Sequence, residues 1–454
     1  MPDQPMPSYA QLLANNTELL TENAALRETV SRLQDEIVLL REEIESLRKN
    51  PPSGLARAVS MYSPKPNKPE QERKPRKKRE HSFVRRRMKP TVVVEHTLEN
   101  CPNCGRRLEG GWEHGVREVI DIPMLPVTIT HHKIIRRYCG VCQKSHQPRL
   151  DLSAEALGQH RIGIRLMSLI AHMRMVCRMT VRSIQTFLRS TYNLHISIGE
   201  IVELLHAAAR KGQAAYASLR ATLRGSPYVN ADETGYRQDG VNGQAWCFCT
   251  PQVRYYTRDP SRSHEVPESV LGSDYKGVIV SDFYAGYNYH LGEHQRCLVH
   301  FLRTLRDLEQ EYPDRPDLAA WAAHVKPLFA KAWQFKSDNH RIRARARERF
   351  QLRLEALAKP WVGADVPHRK LARRIERFSN EMFTFVERPG VPPDNNAAER
   401  AIRPLVILRK VTGGTRSQQG SHTLSVLMSL FATWQLTSTK TIEQCQLMLA
   451  AAPA

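Results

Sequence analysis

The 454-residue chain lacks any apolar run near the roughly 18 residues that a membrane-spanning helix requires. Its first ten residues, MPDQPMPSYA, also lack the basic segment and apolar core of a secretory signal peptide. These two absences argue against a membrane protein and against a secreted one. We therefore expect a soluble cytoplasmic protein.

Acidic residues are scarce relative to basic ones. The chain has 46 Asp and Glu residues against 67 Lys and Arg residues, which gives a formal net charge of +21. Such an excess favours a polyanionic partner, because neutralising phosphates releases their condensed counterions. An anionic membrane surface is the rival partner, but no apolar segment supports it. Nucleic acid is the expected partner.

Cysteines number nine, and an odd count without a secretory signal does not suggest a disulfide framework. Four of them form two Cys-x-x-Cys pairs, Cys101 with Cys104 and Cys139 with Cys142. This spacing lets each pair direct both sulfurs at a tetrahedral structural Zn²⁺. A redox dithiol would explain one pair better than two. Because the intervening residues alternate like strands, we predict a small zinc-binding β domain over residues 91–149.

Residues 1–50 carry a heptad pattern in which leucine recurs at every seventh position from Leu12 to Leu47. The position three residues before each leucine includes Asn16, Asn23 and several β-branched residues. This pattern predicts a parallel two-stranded coiled coil, and hence a homodimer or higher homo-oligomer. The alternative is an amphipathic helix packed on the protein's own core, which unbroken heptad leucines disfavour.

Two further segments precede the β-rich half of the chain. Residues 51–90 are rich in proline and basic residues, which predicts a solvated linker able to lie along DNA phosphates. Residues 150–225 have a helical pattern, in which two amphipathic segments flank TYNLHIS and Ser197 is placed to cap the second. This predicts a helix-turn-helix-like DNA-binding domain, with a plain helical domain as an equally supported alternative.

Acidic residues occur at the ends of two predicted strands. Asp232 ends the strand in YVNADETGY, and Asp282 ends the strand in KGVIVSDFYAGY, with a hairpin and a short helix between them. If the two strands are neighbours in one sheet, the two carboxylates meet, and neither ionises easily without a cation. Taken singly, an aspartate at a strand end is more often a turn residue.

A third carboxylate, Glu399, follows one turn into the helix predicted for DNNAAERAIRPLVILRK. Three such carboxylates can bind two Mg²⁺ or Mn²⁺ ions and so support displacement at phosphorus. The ordinary alternative is a surface ion pair between Glu399 and Arg403. Basic side chains around Glu399 are expected to bind DNA phosphates; they are Arg400, Arg403, Arg409 and Lys410.

In this order, ADETG, VSDFYAGY and DNNAAERAIRPLVILRK resemble the motifs of IS66-type insertion-sequence transposases. The leucine-rich coil and the two cysteine pairs extend the resemblance over nearly the whole chain. It implies a DDE enzyme with a ribonuclease-H-like mixed sheet, within a multidomain α/β protein. It also implies Asp232, Asp282 and Glu399 as the catalytic residues and the magnesium ligands.

The resemblance also implies a domain layout for the second half of the chain. A helical insertion at 297–390 would separate a first part of the catalytic core, 226–296, from a second part, 391–436. Residues 437–454 are then expected to form a C-terminal tail. Cys297 and His300 resemble the family's Cys-x-x-His element; they could bind metal or approach DNA, with a buried thiol and a core histidine as the alternative.

The implied activity is metal-dependent cleavage of double-stranded DNA at the ends of the mobile element, followed by transfer of the 3′-hydroxyl into target DNA. Accessory proteins of the same element are conceivable partners, and a nucleoid-associated location follows. Two alternatives stay open. One is a non-catalytic, zinc-containing, dimeric DNA-binding regulator; the other is a structure-specific nuclease on the same fold.

Overall fold

The computed structural model describes residues 89–121, 127–438 and 440–451, together with scattered positions between 16 and 37 that are helical. Most of the predicted coiled coil and linker lies outside the described residues, so both stay predictions. The chain divides into two compact units, Met1–Ile122 and Pro123–Ala454. Within the described ranges, no helix combines the length and apolarity needed to cross a bilayer.

The second unit begins with a short antiparallel hairpin. Strand β1 (Arg137–Cys139) pairs with β2 (Lys144–His146), with Cys139 opposite Lys144. The described residues 127–136, which alternate in sequence like strands, contain no strand. The strands that the alternation predicts are therefore not formed over 127–136, and the zinc-binding β domain over residues 91–149 stays a prediction.

Four helices come next, and they include the predicted helix pair. They are α1 (Ile164–Met175), α2 (Val181–Tyr192), α3 (Ile198–Lys211) and α4 (Gln213–Arg224). Ser197 caps α3, since its hydroxyl accepts the Glu200 N–H at 3.0 Å. Asn193 ends α2 in the left-handed region, with a φ of 52°. The pair is confirmed, while its binding of DNA stays a prediction.

A five-stranded mixed sheet follows in the order β5-β4-β3-β6-β7. Its strands are β3 (Tyr228–Gly235), β4 (Gln244–Cys249), β5 (Arg254–Asp259), β6 (Val278–Ser281) and β7 (His294–Arg296), with helix α5 (Glu265–Leu271) between β5 and β6. Strands β3 and β4 pair antiparallel, as do β4 and β5, whereas β6 pairs parallel with both β3 and β7. The mixed sheet and the element order predicted from the sequence are confirmed.

The last strand, β7, was not predicted from the sequence. Its three residues, HQR, are polar, yet all are buried. They are buried with hydrogen-bond partners: Gln295 donates to the Met382 carbonyl at 3.2 Å, and the His294 ring contacts the His290 carbonyl at 2.8 Å. Polar groups can be buried at low cost only when they are paired in this way, and sequence alone does not reveal the pairs.

The sheet is covered on both faces, as parallel strands require. Ile279 belongs to the large core that also contains the helices α1 to α4, whereas Val278 and Val280 pack with Val391 on the other face. Helix α11 (Asn396–Thr412) lies across β3 and β4. Its buried residues include Ala398 and Leu405.

Between β7 and α11 the chain forms a helical insertion with its own apolar core. Its helices are α6 (Leu298–Glu311), α7 (Pro316–Gln334), α8 (His340–Ala358), α9 (Arg369–Phe378) and α10 (Thr384–Glu387). The Leu298 N–H donates to the Pro393 carbonyl at 3.1 Å, so the insertion leaves the core and returns to it at one point. The helical content agrees with the insertion predicted over 297–390.

The C-terminal residues are more ordered than predicted. After α12 (Gln418–Thr437), helix α13 (Thr441–Ala450) packs on α1 and buries Cys445 and Leu449. The Thr441 hydroxyl lies 2.8 Å from Nδ1 of His172 on α1. The expectation of a tail over 437–454 is corrected: apolar residues four positions apart give this segment a face that docks on the first helix.

Helix α12 protects the edge strand β5. Hydroxyls on this helix accept backbone N–H groups of β5: Ser429 accepts from Tyr256 at 2.8 Å, and Thr433 accepts from Arg254 at 3.0 Å. The Thr433 hydroxyl also lies 3.0 Å from the Arg254 carbonyl. An exposed edge would present these groups to other chains. Here side chains satisfy them, so the sheet ends at β5.

We predict that Ser429→Ala lowers the free energy of unfolding by about 1–3 kcal/mol, because the buried Tyr256 N–H loses its acceptor. Thermal denaturation followed by circular dichroism would measure the change. The matched control is Ser218→Ala, whose hydroxyl donates to the Ala214 carbonyl on an exposed part of α4. Equal midpoints for the two variants would show that the edge contact contributes nothing.

Candidate active site

The two predicted catalytic aspartates lie at the point where β3 and β6 part. The parallel pairing of these strands ends with Asn230 opposite Val280, and two further residues along that register put Asp232 opposite Asp282. Strand β3 itself does not end at Asp232 as predicted; it continues to Gly235 because β4 still pairs with it. The sheet therefore brings the two carboxylates to the same edge of the β3–β6 pair.

Helix α11 is fixed to this edge through the residue that precedes it. The buried Asn395 amide donates to the Ala231 carbonyl at 2.7 Å and accepts from the Asn230 amide at 3.0 Å. Its backbone N–H donates to the Cys297 thiol at 3.2 Å. These bonds hold the start of the helix beside Asp232, and Glu399 follows one turn later, its N–H donating to the Asn395 carbonyl.

The three predicted carboxylates share one electrostatic environment. Burial raises the pKa of Asp232 to about 7, and the negative charges of Glu233, Asp282 and Glu399 add to that rise. The N–H of Glu233, which donates to Asp232 Oδ1 at 3.0 Å, acts in the opposite direction. A cation bound here would favour the ionised form of Asp232 and offset the neighbouring negative charges.

Glu399 has an oxygen free for a ligand. Its Oε1 atom is shielded from solvent and has no hydrogen bond, although His300 Nε2 lies 3.5 Å away. The other oxygen, Oε2, lies 3.9 Å from the Arg303 guanidinium. The side chain as a whole is 32% exposed, so the carboxylate opens to solvent while it remains at the sheet.

Cys297 and His300 lie beside this carboxylate. Within the described residues, Cys297, His300 and Glu399 form one group whose ligand atoms all lie within 4.8 Å of one another, and they could hold a metal ion. Burial raises the pKa of the Cys297 thiol, and this agrees with the predicted alternative of a buried thiol. His300 is not a core residue; it faces Glu399.

Asp232, Asp282 and Glu399 do not form an equally tight group among the described residues. The raised pKa of Asp232 and the unpaired oxygen of Glu399 both fit a site completed by cations.

The backbone of Asp282 is held by a buried arginine from β7. The Arg296 guanidinium donates to the Asp282 carbonyl at 3.0 Å, to Asn288 at 2.6 Å and to the Glu381 carboxylate at 2.5 Å. A buried charge is tolerated only when it is paired and hydrogen-bonded. Arg296 therefore joins the end of β6 to the helical insertion, where Glu381 lies.

Three arginines near the carboxylates were not predicted from the sequence. Arg303 approaches Glu399 from α6. Arg262 pairs with Glu233 at 2.6 Å. Arg374, on α9, lies with its guanidinium carbon 4.6 Å from the centre of the Phe283 ring; burial lowers its pKa, and the charge of Asp282 opposes that change. Arg303 stands three residues after His300, and this spacing is a signal in the sequence; the other two are brought in by tertiary structure.

The basic residues predicted to bind DNA divide into two kinds. Arg400, Arg403 and Lys410 are exposed on α11. Arg409 instead donates to the Thr234 hydroxyl at 3.0 Å and to the Gly235 carbonyl. This contact joins α11 to the end of β3, a role that was not predicted.

The two cysteine pairs lie in different compact units. Backbone N–H groups of Asn103 and Cys104 lower the pKa of Cys101. The N–H of Cys142 likewise lowers the pKa of Cys139. Such donors stabilise the thiolate, which is the form that binds Zn²⁺. Each pair is suited to metal, and a single site shared by all four cysteines stays a prediction.

Comparison with known proteins identifies the family of the chain. A family model described as "Transposase IS66 family" matches residues 159–423, more than half of the chain, and the chain belongs to that family. It is also similar to the uncharacterized protein y4jO of Sinorhizobium fredii, with 32% identity over 164 residues, 34% of this chain and 47% of that protein. The match thus spans about half the length of this curated relative.

We predict that Asp232→Asn stabilises the protein considerably more at pH 8 than at pH 4.5, without added divalent cations. The folded-state pKa, about 7, lies above the ordinary 3.8, so this carboxyl reduces stability as the pH rises through that window. Thermal denaturation at both pH values should show a midpoint several degrees higher for the variant at pH 8. Asp239→Asn, at an exposed turn, is the control; equal behaviour of the two variants would contradict the shift.

Proposed function

We propose that this protein is a DDE-type transposase, which cuts DNA at the ends of its mobile element and joins the freed 3′-hydroxyl to target DNA. The proposal rests on the parallel β3–β6 register, which carries Asp232 and Asp282 toward the same edge, and on the charges of Asp282 and Glu399 that raise the pKa of Asp232. The strand order, three antiparallel strands followed by two parallel ones, supports the ribonuclease-H-like fold that the motifs imply.

Two hard divalent cations, Mg²⁺ or Mn²⁺, would be held by Asp232, Asp282 and Glu399. When bound, such cations stabilise the charge on the attacking and departing oxygens of a phosphoryl displacement. The donor set fits them, because it consists of carboxylate oxygens and one of these oxygens has no hydrogen bond. Hydrolysis and strand transfer are both displacements at phosphorus, so one set of carboxylates serves both reactions.

Arginines around the carboxylates would bind and orient the scissile strand. Arg303 lies beside Glu399 and is partly exposed, so a phosphate could replace the long 3.9 Å contact with a shorter one. Arg374 reaches the site from the helical insertion. Exposed Arg400 and Arg403 would continue the phosphate contacts along α11. These side chains position DNA, and the carboxylates carry the chemistry.

Recognition of DNA would be divided among the N-terminal parts of the chain. The zinc-binding region and the pair α2–α3 would recognise the element ends, and the basic linker would add sequence-independent affinity. The coiled coil would pair two protomers, as the need to hold two ends together requires. The partners are thus double-stranded DNA and a second copy of the chain.

A non-catalytic DNA-binding regulator remains the second candidate. It would account for the cysteine pairs, the helix pair and the charge, but it would leave the unpaired Glu399 oxygen and the raised pKa of Asp232 without a role. A structure-specific nuclease would use the same carboxylates, yet it would cut without joining. Family membership favours the transposase over both.

We predict that Asp282→Asn reduces Mg²⁺-dependent cleavage of a labelled element end by at least about 100-fold, because it removes one preorganised charge from the site. Binding of the same DNA should be unchanged in a gel-shift assay. Asp274→Asn, an exposed substitution in the turn before β6, is the matched control.

Cleavage by Asp282→Asn at the wild-type rate would refute the carboxylate assignment. Wild-type protein that binds the ends yet never cuts them would identify the regulator. Cutting without joined products in a strand-transfer assay would identify the nuclease.

We predict about one tightly bound Zn²⁺ per chain if all four paired cysteines share a site. Elemental analysis of purified Cys139→Ser protein should then show this zinc lost. Cys177→Ser, which removes an exposed cysteine outside the pairs, should keep it. Full zinc content in Cys139→Ser would exclude the shared site.

A further inference from the structure

Helix α8 in the insertion carries six arginines in two rows. One row consists of exposed side chains spaced four residues apart, and we name it the arginine row: Arg341, Arg345, Arg349 and Arg353. The other row consists of Arg343 and Arg347. The two rows differ in their partners, and the difference suggests what the exposed row is for.

The inner arginines are used within the protein. Arg343 donates to the carbonyls of Glu387 at 3.0 Å and Ser337 at 2.9 Å. Arg347 forms ion pairs with Glu293 at 3.1 Å and Glu387 at 2.8 Å. These two side chains fix α8 to α10 and to the segment before β7, so their charges are already paired within the protein.

The arginine row has no such partners. In the described part of the chain, no carboxylate lies within 4 Å of these four guanidiniums; Arg349 lies 5.8 Å from the Phe350 ring. Like charges four residues apart repel one another on a helix. An unpaired row of this kind weakens the helix on its own and becomes favourable when a polyanion neutralises it.

The arginine row keeps the same position relative to the buried face of α8. Each of its last three members stands one residue before a buried residue, namely Ala346, Phe350 or Leu354. The row therefore stays beside the line along which α8 packs on the insertion core, and that packing holds it in place. Its charges are presented by a rigid surface, which reduces the entropy lost on binding.

The arginine row is long enough to contact several phosphates of one DNA strand. Four residues of helix rise about 6 Å, so the four arginines span about 18 Å. Over that length one strand of a duplex presents about five phosphates, at 3.4 Å of axis each. We propose that the arginine row binds the sugar–phosphate backbone of a DNA duplex, independently of its sequence. This inference rests on the proposed function, since it takes the substrate to be DNA.

The test compares full-length protein with the variant in which all four arginines are replaced by glutamine. Glutamine has a helix propensity similar to that of arginine, so the fold should persist, and circular dichroism checks it. Affinity for a labelled duplex is measured by fluorescence anisotropy over a range of salt concentrations. The slope of log K against log salt should become shallower by roughly three to four, about 0.9 for each lost phosphate contact.

Two controls bracket this result. Lys331→Gln with Lys336→Gln removes two exposed charges elsewhere in the insertion and should change the slope by less than Arg345→Gln with Arg349→Gln. Glu348→Gln removes the exposed acid within the row's own stretch of helix and should tighten binding. The losses should be alike for unrelated DNA sequences, because phosphate contacts carry no sequence information.

An unchanged salt slope in the folded four-arginine variant would overturn the inference; the row would then serve another partner, such as an acidic protein surface. That outcome would leave the carboxylate assignment intact, because cleavage by the variant at saturating protein concentration would still depend on Asp282. Conversely, absence of Mg²⁺-dependent cleavage by the wild-type protein would refute the proposed function. It would not change the slopes of log K against log salt, on which the inference about the arginine row depends.

Discussion

Like charges held close together are the constraint on which this structure depends. The negative charges of Asp282 and Glu399 oppose ionisation of Asp232, and the burial of Asp232 strengthens this repulsion because little water screens it. The fold resists that repulsion with neutral and oppositely charged anchors. Asn395 fixes the helix that carries Glu399 to β3, and Arg296 fixes the backbone of Asp282. Both anchoring side chains are buried, so the stabilising hydrogen bonds lie around the carboxylates rather than between them.

Features of the fold that depend on local patterns could be predicted from the sequence. The apolar strand β6, the hairpin of β4 and β5 and the capped helix α3 all follow from periodicity and turn residues. Strand β7 could not be predicted, because its polar residues are buried by partners such as Met382, far away in sequence. The sequence of helix α13 has a short apolar pattern, but that pattern does not predict that the helix packs on α1.

The candidate site divides in the same way. The placement of Asp232 and Asp282 by strands and of Glu399 near the start of a helix could be predicted, because strand ends and helix starts have recognisable residues. Arg262 and Arg374 were not, because neither has a local pattern that distinguishes it from other surface arginines. Arg409 was predicted to bind DNA phosphates, but in the structure its guanidinium binds the end of β3. The sequence shows that the region is rich in basic residues. Only tertiary contacts distinguish the arginines that form hydrogen bonds within the protein from those that are free to bind a ligand.

The hydrogen bond between Leu298 and Pro393 has a consequence for how the protein can change. It closes the base of the helical insertion, so the geometry of the core does not depend on how many residues lie between those two positions. Evolution could therefore exchange, enlarge or shorten that module while the acid on α11 keeps its place. A chain built in this manner can acquire a new DNA-contacting surface without redesigning its chemistry.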